Sequence, residues 1–522
     1  MRFFTKQNLF TLSVLILLSI PSILPLMHNG FFVTDDGEWM IIRLSAFYQA
    51  FADGQFPVRF LHRLNFDYGY PVATFLYPGI MYLGSIIHLF KIGFVDTIKI
   101  ILALSMLGSS IFSYLWLRKF FDKISSLIGA LFYVYTPYHL YDVYKRGSVG
   151  EVFAIAILPF IFWQIEKKSI FWPAIGISLL LLSHNSLALI FFPLIPLYLY
   201  FSLVCTSKNL RKSLLKTIII LASGIGVSGF FILPVLFEIH FTKFSVIDVS
   251  NPLEYFADIS LIGWSTVLVI LSSIFSYLKY KKDYAFKNIT ILFLITGIIS
   301  IFLSSELSSF IWQVMPSSFI QFPFRILSVT LICVAFLSAF AISKLGNIYR
   351  LIFSTFIIFV LIISAIPFAA PKEYINKGEG FYATNDASTT VKNEYMPVWV
   401  KEIPTTRPTQ KIEIINGQGK IENIIQDSSS LSFNSDLESK STIRINTIYW
   451  PGWKVYINNK QTDISYNQRG VIEFISPKGI SSIDLRFSET SLRLIGDVIS
   501  IISFGAIMFL SLHFRKKSKI KK

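Results

Sequence analysis

Apolar runs of membrane-span length, separated by short basic stretches, fill most of the chain before residue 368. The runs lie near 9–27, 98–117, 124–140, 152–165, 171–183, 187–204, 217–236, 260–278, 289–304, 326–343, 351–367 and 491–514. They predict twelve transmembrane helices, although 152–165 and 171–183 fall short of the roughly 20 residues of a full crossing. Pro71–Phe90 is also apolar, but counting it as a span puts most basic loops on the outer face. It is read instead as an interfacial or re-entrant helix of a first outer loop, 28–97, broken at Pro78-Gly79.

From residue 368 to 490 the pattern changes to short alternating runs: KIEII (411–415), TIRINTIYW (442–450), WKVYINN (453–459), GVIEFI (470–475) and SSIDLRF (481–487). Period-two alternation between turn residues predicts antiparallel strands and a small β-sandwich. The expected organisation is a transmembrane domain over 1–367, an extracytoplasmic β-rich domain over 368–490, and a final helix with a basic cytoplasmic tail over 491–522.

Composition agrees with a polytopic membrane protein: 53% hydrophobic and 15% charged residues, with 51 Phe. The run after MRFFTKQN lacks a small-x-small cleavage site and reads as an uncleaved first helix. The net charge of +16 points to topology, not to nucleic acid. With both termini cytoplasmic, the inner segments hold 23 of the 47 Lys and Arg but 3 of the 31 Asp and Glu, which places the β-rich domain outside. Cys205 and Cys333 suit neither a disulfide framework nor a zinc site. Gly224-Ile-Gly226-Val-Ser-Gly229 matches a dinucleotide fingerprint by letter, but it lies inside an apolar run and reads as helix packing.

Ionisable residues gather at the outer helix ends: Asp35, Asp36, Glu38 and Arg43; Asp142, Lys145, Arg146 and Glu151; His184 with Asn185; Glu306; and Gln321 with Arg325. Carboxylates beside cations at one face suit an anionic lipid headgroup and a proton-accepting carboxylate. Each residue also has a structural alternative. Asp35 or Asp36 can cap the next helix, with Glu38 completing a capping box. Arg146 and Glu151 can pair, Arg325 can anchor its helix, and His184 can be a packing residue. Ile41, Leu44, Tyr48 and Phe51 fall on one helical face, an expected interfacial stripe.

TDDGEWMIIRLSAF, DGQFPVRF, FDYGYPVATFLYPG, DVYKRGSVGE, LLSHNSLA, IQFPFRIL and YWPGWKVYINN resemble membrane proteins labelled 6-pyruvoyl-tetrahydropterin synthase-related, relatives of the YfhO type. The similarity spans nearly the whole chain, yet nothing in it suggests pterin chemistry. The resemblance implies the GT-C glycosyltransferase architecture, in which a multi-helix membrane enzyme uses a polyprenyl-phosphate-linked sugar and carries an acidic motif in its first outer loop. Family members often carry His-Asp where this chain has Asp35-Asp36, so Asp36 holds the shared position, as base or metal ligand. Asp35 raises the alternative of a divalent cation shared by both carboxylates.

These observations converge on an inverting glycosyl transfer at the outer face of a cell membrane, onto an envelope glycan, lipid or protein acceptor. Asp36 is expected to deprotonate the acceptor, while Arg146, Arg325 and Lys145 hold the lipid phosphate. Glu151, His184 and Gln321 are second-rank substrate contacts. The rival readings are a lipid or polysaccharide transporter and a non-catalytic envelope assembly protein.

Overall fold

A computed structural model describes residues 6–207, 209–245, 251–280, 286–314 and 320–520. Lys208, residues 281–285 and residues 521–522 of the basic segments lie outside the described residues, as do 1–5 and part of the expected 305–325 outer loop, 315–319.

All twelve apolar runs are helical, but they differ in length. Among the described residues, seven helices are long and apolar enough to cross a membrane: Phe94–Leu117, Val149–Glu166, Asn185–Val204, Lys287–Ser304, Pro323–Ser343, Asn347–Phe368 and Ser491–His513. An eighth is a pair, Leu210–Val227 and Gly229–Phe241, bent by 71°. The other four runs give shorter helices, three of them cut by Pro or Gly. Helix Lys6–Ser19 gives way to tight turns carrying Pro21 and Pro25, Lys123–Tyr135 stops before Pro137, Phe171–Leu181 has 11 residues, and Gly263 separates Ile259–Ile262 from Trp264–Tyr280.

The helix Leu327–Ser343 is buried on all sides, because every residue from Leu327 to Ile342 is apolar or small. The glycines of the 224–229 stretch face helix contacts, as expected. A Cβ on Gly224 lies 2.7 Å from Ile177, and Gly229 sits against Ile499 and Gly496.

The first outer loop folds onto this bundle. Helix Pro78–His88 starts at the Pro-Gly step and packs on helix Gly37–Ala52. The expected interfacial stripe on the latter is overturned by this packing: Ile41 and Leu44 are completely buried, and Tyr48 and Phe51 pack on the same core.

The C-terminal strands form two antiparallel sheets. One has the order Ile412–Asn416, Ser441–Ile448, Val471–Ser476, Ser465–Tyr466; the other runs Gly419–Gln426, Ser430–Leu437, Gly479–Phe487, Trp453–Ile457, Lys460–Thr462. Alternate residues of both, such as Ile443, Ile445 and Phe474 against Phe433, Ile483 and Leu485, share one core and make the expected sandwich. Its first strand begins at Ile412. Residues 369–411 form a strap against the helical body, where Tyr374–Ile375 pairs with Phe31–Phe32. Arg59 bonds Glu489 at 3.0 Å and the Phe230 carbonyl at 2.8 Å, and Arg493 pairs with Glu238 at 2.9 Å, fixing the root of the final helix.

Candidate functional site

Asp36 is placed by backbone pairing. The Asp35 amide donates to the Lys145 carbonyl at 3.2 Å and the Asp36 amide to the Arg146 carbonyl at 2.9 Å, so the start of helix Gly37–Ala52 is laid along the turn 142–146. That turn ends at Gly147, whose φ of 64° is left-handed and brings its backbone against Thr34. Thr34 Oγ1 accepts the Gly37 amide at 2.9 Å. The Asp36 side chain, at the N-cap position, makes no capping bond and instead reaches Arg146 Nη2 at 3.5 Å. Neither expected capping partner caps. Asp35 pairs with Lys145 at 2.8 Å on the surface, and Glu38 bonds Lys377 at 2.8 Å and the Tyr382 hydroxyl at 3.2 Å.

Behind Asp36 lies a buried charge cluster. Glu151, with no exposed side-chain area, takes Arg146 and Arg325 together, the latter through Nε at 2.9 Å, and accepts the Tyr138 hydroxyl at 3.2 Å. Arg146 also reaches Asp142 at 3.2 Å. Arg325 donates to the Ile320 carbonyl at 2.6 Å, Gln321 Oε1 at 3.1 Å and Ser186 Oγ at 3.3 Å. Phe322 lies under both guanidinium groups, 5.4 Å from Arg146 and 4.9 Å from Arg325. Burial, and after it the neighbouring Glu151, push the Asp142 carboxyl well above the usual range, with Arg146 and Arg325 opposing the rise.

In front of the cluster is a cavity of about 890 Å³. Its polar end is lined by Asp36, Arg43, Arg146, His184, Arg325 and Glu394. Leu189, Phe192, Ile225, Ile232 and Leu236, from helices 185–204 and 210–238, form an apolar wall. Leu236 is 65% exposed and Leu189 51%, so this side opens outward.

The structure therefore brings five of the eight expected residues to one cavity: Asp36, Arg146, Arg325, His184 and Gln321. Three do not line it. Lys145 and Asp35 neutralise each other at the surface, and Glu151 is sealed beneath the arginines as their counter-ion. Each carboxylate of the Asp35-Asp36 pair faces its own cation, and among the described residues no group of three or more His, Cys, Asp and Glu is arranged for a metal ion. The pair as placed does not form a shared seat for a divalent cation.

Two charged residues of the cavity, Arg43 and Glu394, lie outside the expected site set, Arg43 belonging to the charge cluster of the first loop. Glu394, on the strap, is 8% exposed, and burial raises its carboxyl to about 7, with Arg43 opposing the rise and Asp36 adding to it. No helix end or motif marks Glu394 in the sequence, since the strap lies between helix Asn347–Phe368 and the sandwich and folds back over the cavity.

No protein-family model matches the chain, and no curated protein matches it. Among solved structures, the apo oligosaccharyltransferase of Archaeoglobus fulgidus superposes with a TM-score of 0.51 and 14% identity, over 76% of this chain and 62% of that one. The chain shares the fold of that oligosaccharyltransferase. The chain thus spans less than two thirds of the oligosaccharyltransferase it matches. Arabinofuranosyltransferase AftD from Mycobacteria aligns at TM-score 0.48 and 12% identity, over 71% of this chain and 28% of that one. ArnT from Cupriavidus metallidurans, bound to undecaprenyl phosphate, aligns at 0.35 and 12%, over 70% of each chain. The similarity to the oligosaccharyltransferase is one of fold, and the chemistry of this cavity rests on its own residues.

Proposed function

We propose that the chain is a membrane glycosyltransferase that takes a sugar from a polyprenyl-phosphate donor on the outer face of the membrane. The observation that carries this reading is the cavity itself, in which arginines and a carboxylate at one end give way to an outward-opening apolar wall at the other. That lining is complementary to one molecule with an anionic head and a long hydrocarbon tail. The GT-C fold, shared with an oligosaccharyltransferase, supports the reading.

In this scheme Arg146 and Arg325 receive the phosphate. Glu151 and Phe322 hold both guanidinium planes in place before substrate arrives, so little reorganisation accompanies charge development on the leaving phosphate. Asp36 accepts the proton of the acceptor hydroxyl as its oxygen attacks the anomeric carbon and the carbon–phosphate-oxygen bond breaks. Its side chain is 43% exposed, within reach of an incoming acceptor. Both termini are cytoplasmic and the β-sandwich outer, where it meets acceptor.

The test is transfer from radiolabelled polyprenyl-phosphate sugars, extracted from a bacterial membrane, to an endogenous acceptor fraction by the purified protein in nanodiscs. Lipid-linked label should pass to acceptor with the wild type and be lost with Arg325→Ala. Label crossing a sealed vesicle without transfer would replace this reading with transport.

A further inference from the structure

The transfer scheme uses Asp36 and the two arginines and leaves one buried carboxyl of the cavity without a task. Glu394 Oε2 is buried and has no hydrogen-bond partner among the described residues, a condition that is rare in folded proteins and gathers at functional sites. The segment presenting it is held firmly. Thr389, Lys392 and Asn393 have φ of 62°, 51° and 51°, left-handed values that non-glycine residues keep only where surrounding structure enforces them. The enforcing groups come from the helical body. Arg43 Nε donates to Thr389 Oγ1 at 3.1 Å and a terminal guanidinium nitrogen donates to the Thr389 carbonyl. Tyr70 bonds Thr390 Oγ1 at 2.7 Å and accepts the Tyr395 amide at 3.0 Å. A strained turn, clamped at both ends, thus delivers an unpartnered acid to the polar end of the cavity.

We propose that Glu394 is a substrate-contacting residue of this cavity: its neutral carboxyl donates a hydrogen bond to the phosphate-bearing headgroup beside Asp36 and the arginines, and its ionised form repels that headgroup. The proposal rests on the lipid-phosphate reading above. Besides Arg43 and Asp36 from the first-loop helix, the titratable groups facing Glu394 are Tyr70 and Tyr395. Burial raises both phenols, so neither changes charge near neutral pH. Asp36 and Glu394 then divide the work of two carboxyls in one cavity, one charged beside Arg146 and one neutral. The direction of the pH effect follows: the binding-competent form of Glu394 is the protonated one, so affinity for an anionic headgroup falls as pH rises through about 7.

The experiment measures binding of undecaprenyl phosphate to the full-length protein in nanodiscs at pH 6 and pH 8, for the wild type, Glu394→Gln and Glu394→Ala. The second ionisation of the lipid phosphate is common to all three and cancels in their ratios. With a carboxyl near 7, about one molecule in eleven keeps its proton at pH 8, so the wild-type Kd should rise about tenfold more than that of Glu394→Gln. At pH 6, Glu394→Gln, which still donates, should bind severalfold more tightly than Glu394→Ala. Parallel pH profiles for wild type and Glu394→Gln, or equal weakness of Gln and Ala at pH 6, overturn the role of Glu394 while leaving the lipid reading standing. Wild-type protein that binds no polyprenyl phosphate at either pH overturns both. Infrared spectroscopy of the wild type gives a check that needs no substitution to fold: a neutral-carboxyl band should fade between pH 6 and 8 and shift on adding the lipid, and an unmoved band contradicts the contact.

Discussion

At the head of the first-loop helix, Thr34 takes the Gly37 amide while the Asp36 carboxylate turns to Arg146, so the role of Asp36 separates from capping. Asp36→Asn keeps the size and polarity of the side chain but removes the base. Transfer is expected to fall by a factor of roughly 10² or more, with expression and thermal stability little changed. Asp35→Asn loses only a half-exposed pair with Lys145 and should cost transfer far less. Assaying both beside the wild type checks the assignment, and full activity in Asp36→Asn removes it. Glu151→Ala leaves two guanidinium groups without their shared counter-ion and is expected to destabilise the protein by about 3–5 kcal/mol, read as a lowered unfolding temperature. Glu394 has the opposite linkage from a paired acid. Its folded-state value is raised to about 7, so its contribution to stability is fully present below the usual carboxylate range and is lost as pH rises through 7. Glu394→Gln should therefore unfold on the order of a few degrees higher than wild type at pH 8, with the difference shrinking toward pH 4.5. Asp36, Arg146 and Arg325 were legible in the sequence because charged residues at the ends of apolar runs are conspicuous. Glu394 was not, because its burial comes from a strap folding back over the cavity, and no local pattern records a tertiary contact of that kind.

Between elements, the site depends on how closely three backbones approach. The Gly79 amide donates to the Leu182 carbonyl at 2.8 Å, and a Cβ on Gly150 lies 2.6 Å from the Ser183 carbonyl and 2.7 Å from the Tyr77 ring. Gly150→Ala should push the helix bearing Glu151 away from the turn bearing His184. Affinity for polyprenyl phosphate is then expected to drop about tenfold or more with the fold retained, since misplacement on the order of 1 Å is costly to a preorganised site. Unaltered binding by this variant contradicts the close-packed origin of the site. The existence of the helices was readable from apolar length, and five strands from period-two alternation. The breaks were not: a 71° bend between Val227 and Gly229 interrupts a run that reads as one uniform helix. Strand Gly419–Gln426 escaped notice because it is an edge, exposed along nearly its whole length, and so lacks the alternation that burial imposes.

Taken whole, the molecule ties the β-sandwich to the helical body directly, through the Ser428 amide on Asp53 and the Ile448 amide on the Tyr68 carbonyl, and through its flanks, where the strap pairs at Phe31–Phe32, Arg59 meets Glu489 and Arg493 meets Glu238. In the proposed orientation, with the basic segments cytoplasmic, this sandwich lies outside. A single Cys introduced at Ser388 or Asn459 should react with an impermeant maleimide added to intact cells, and one at Ser207 should not; labelling at 207 reverses the orientation. The cavity is proposed to hold a lipid phosphate, with its tail along the wall formed by residues 225–239. Photo-crosslinking with a polyprenyl phosphate carrying a benzophenone near its head tests this most directly, with the labelled peptides read by mass spectrometry. Saturable labelling is expected within 181–192 and 225–239, competed by unlabelled undecaprenyl phosphate and weakened by Arg325→Ala. Labelling that does not saturate, or that falls outside the cavity, contradicts the proposal.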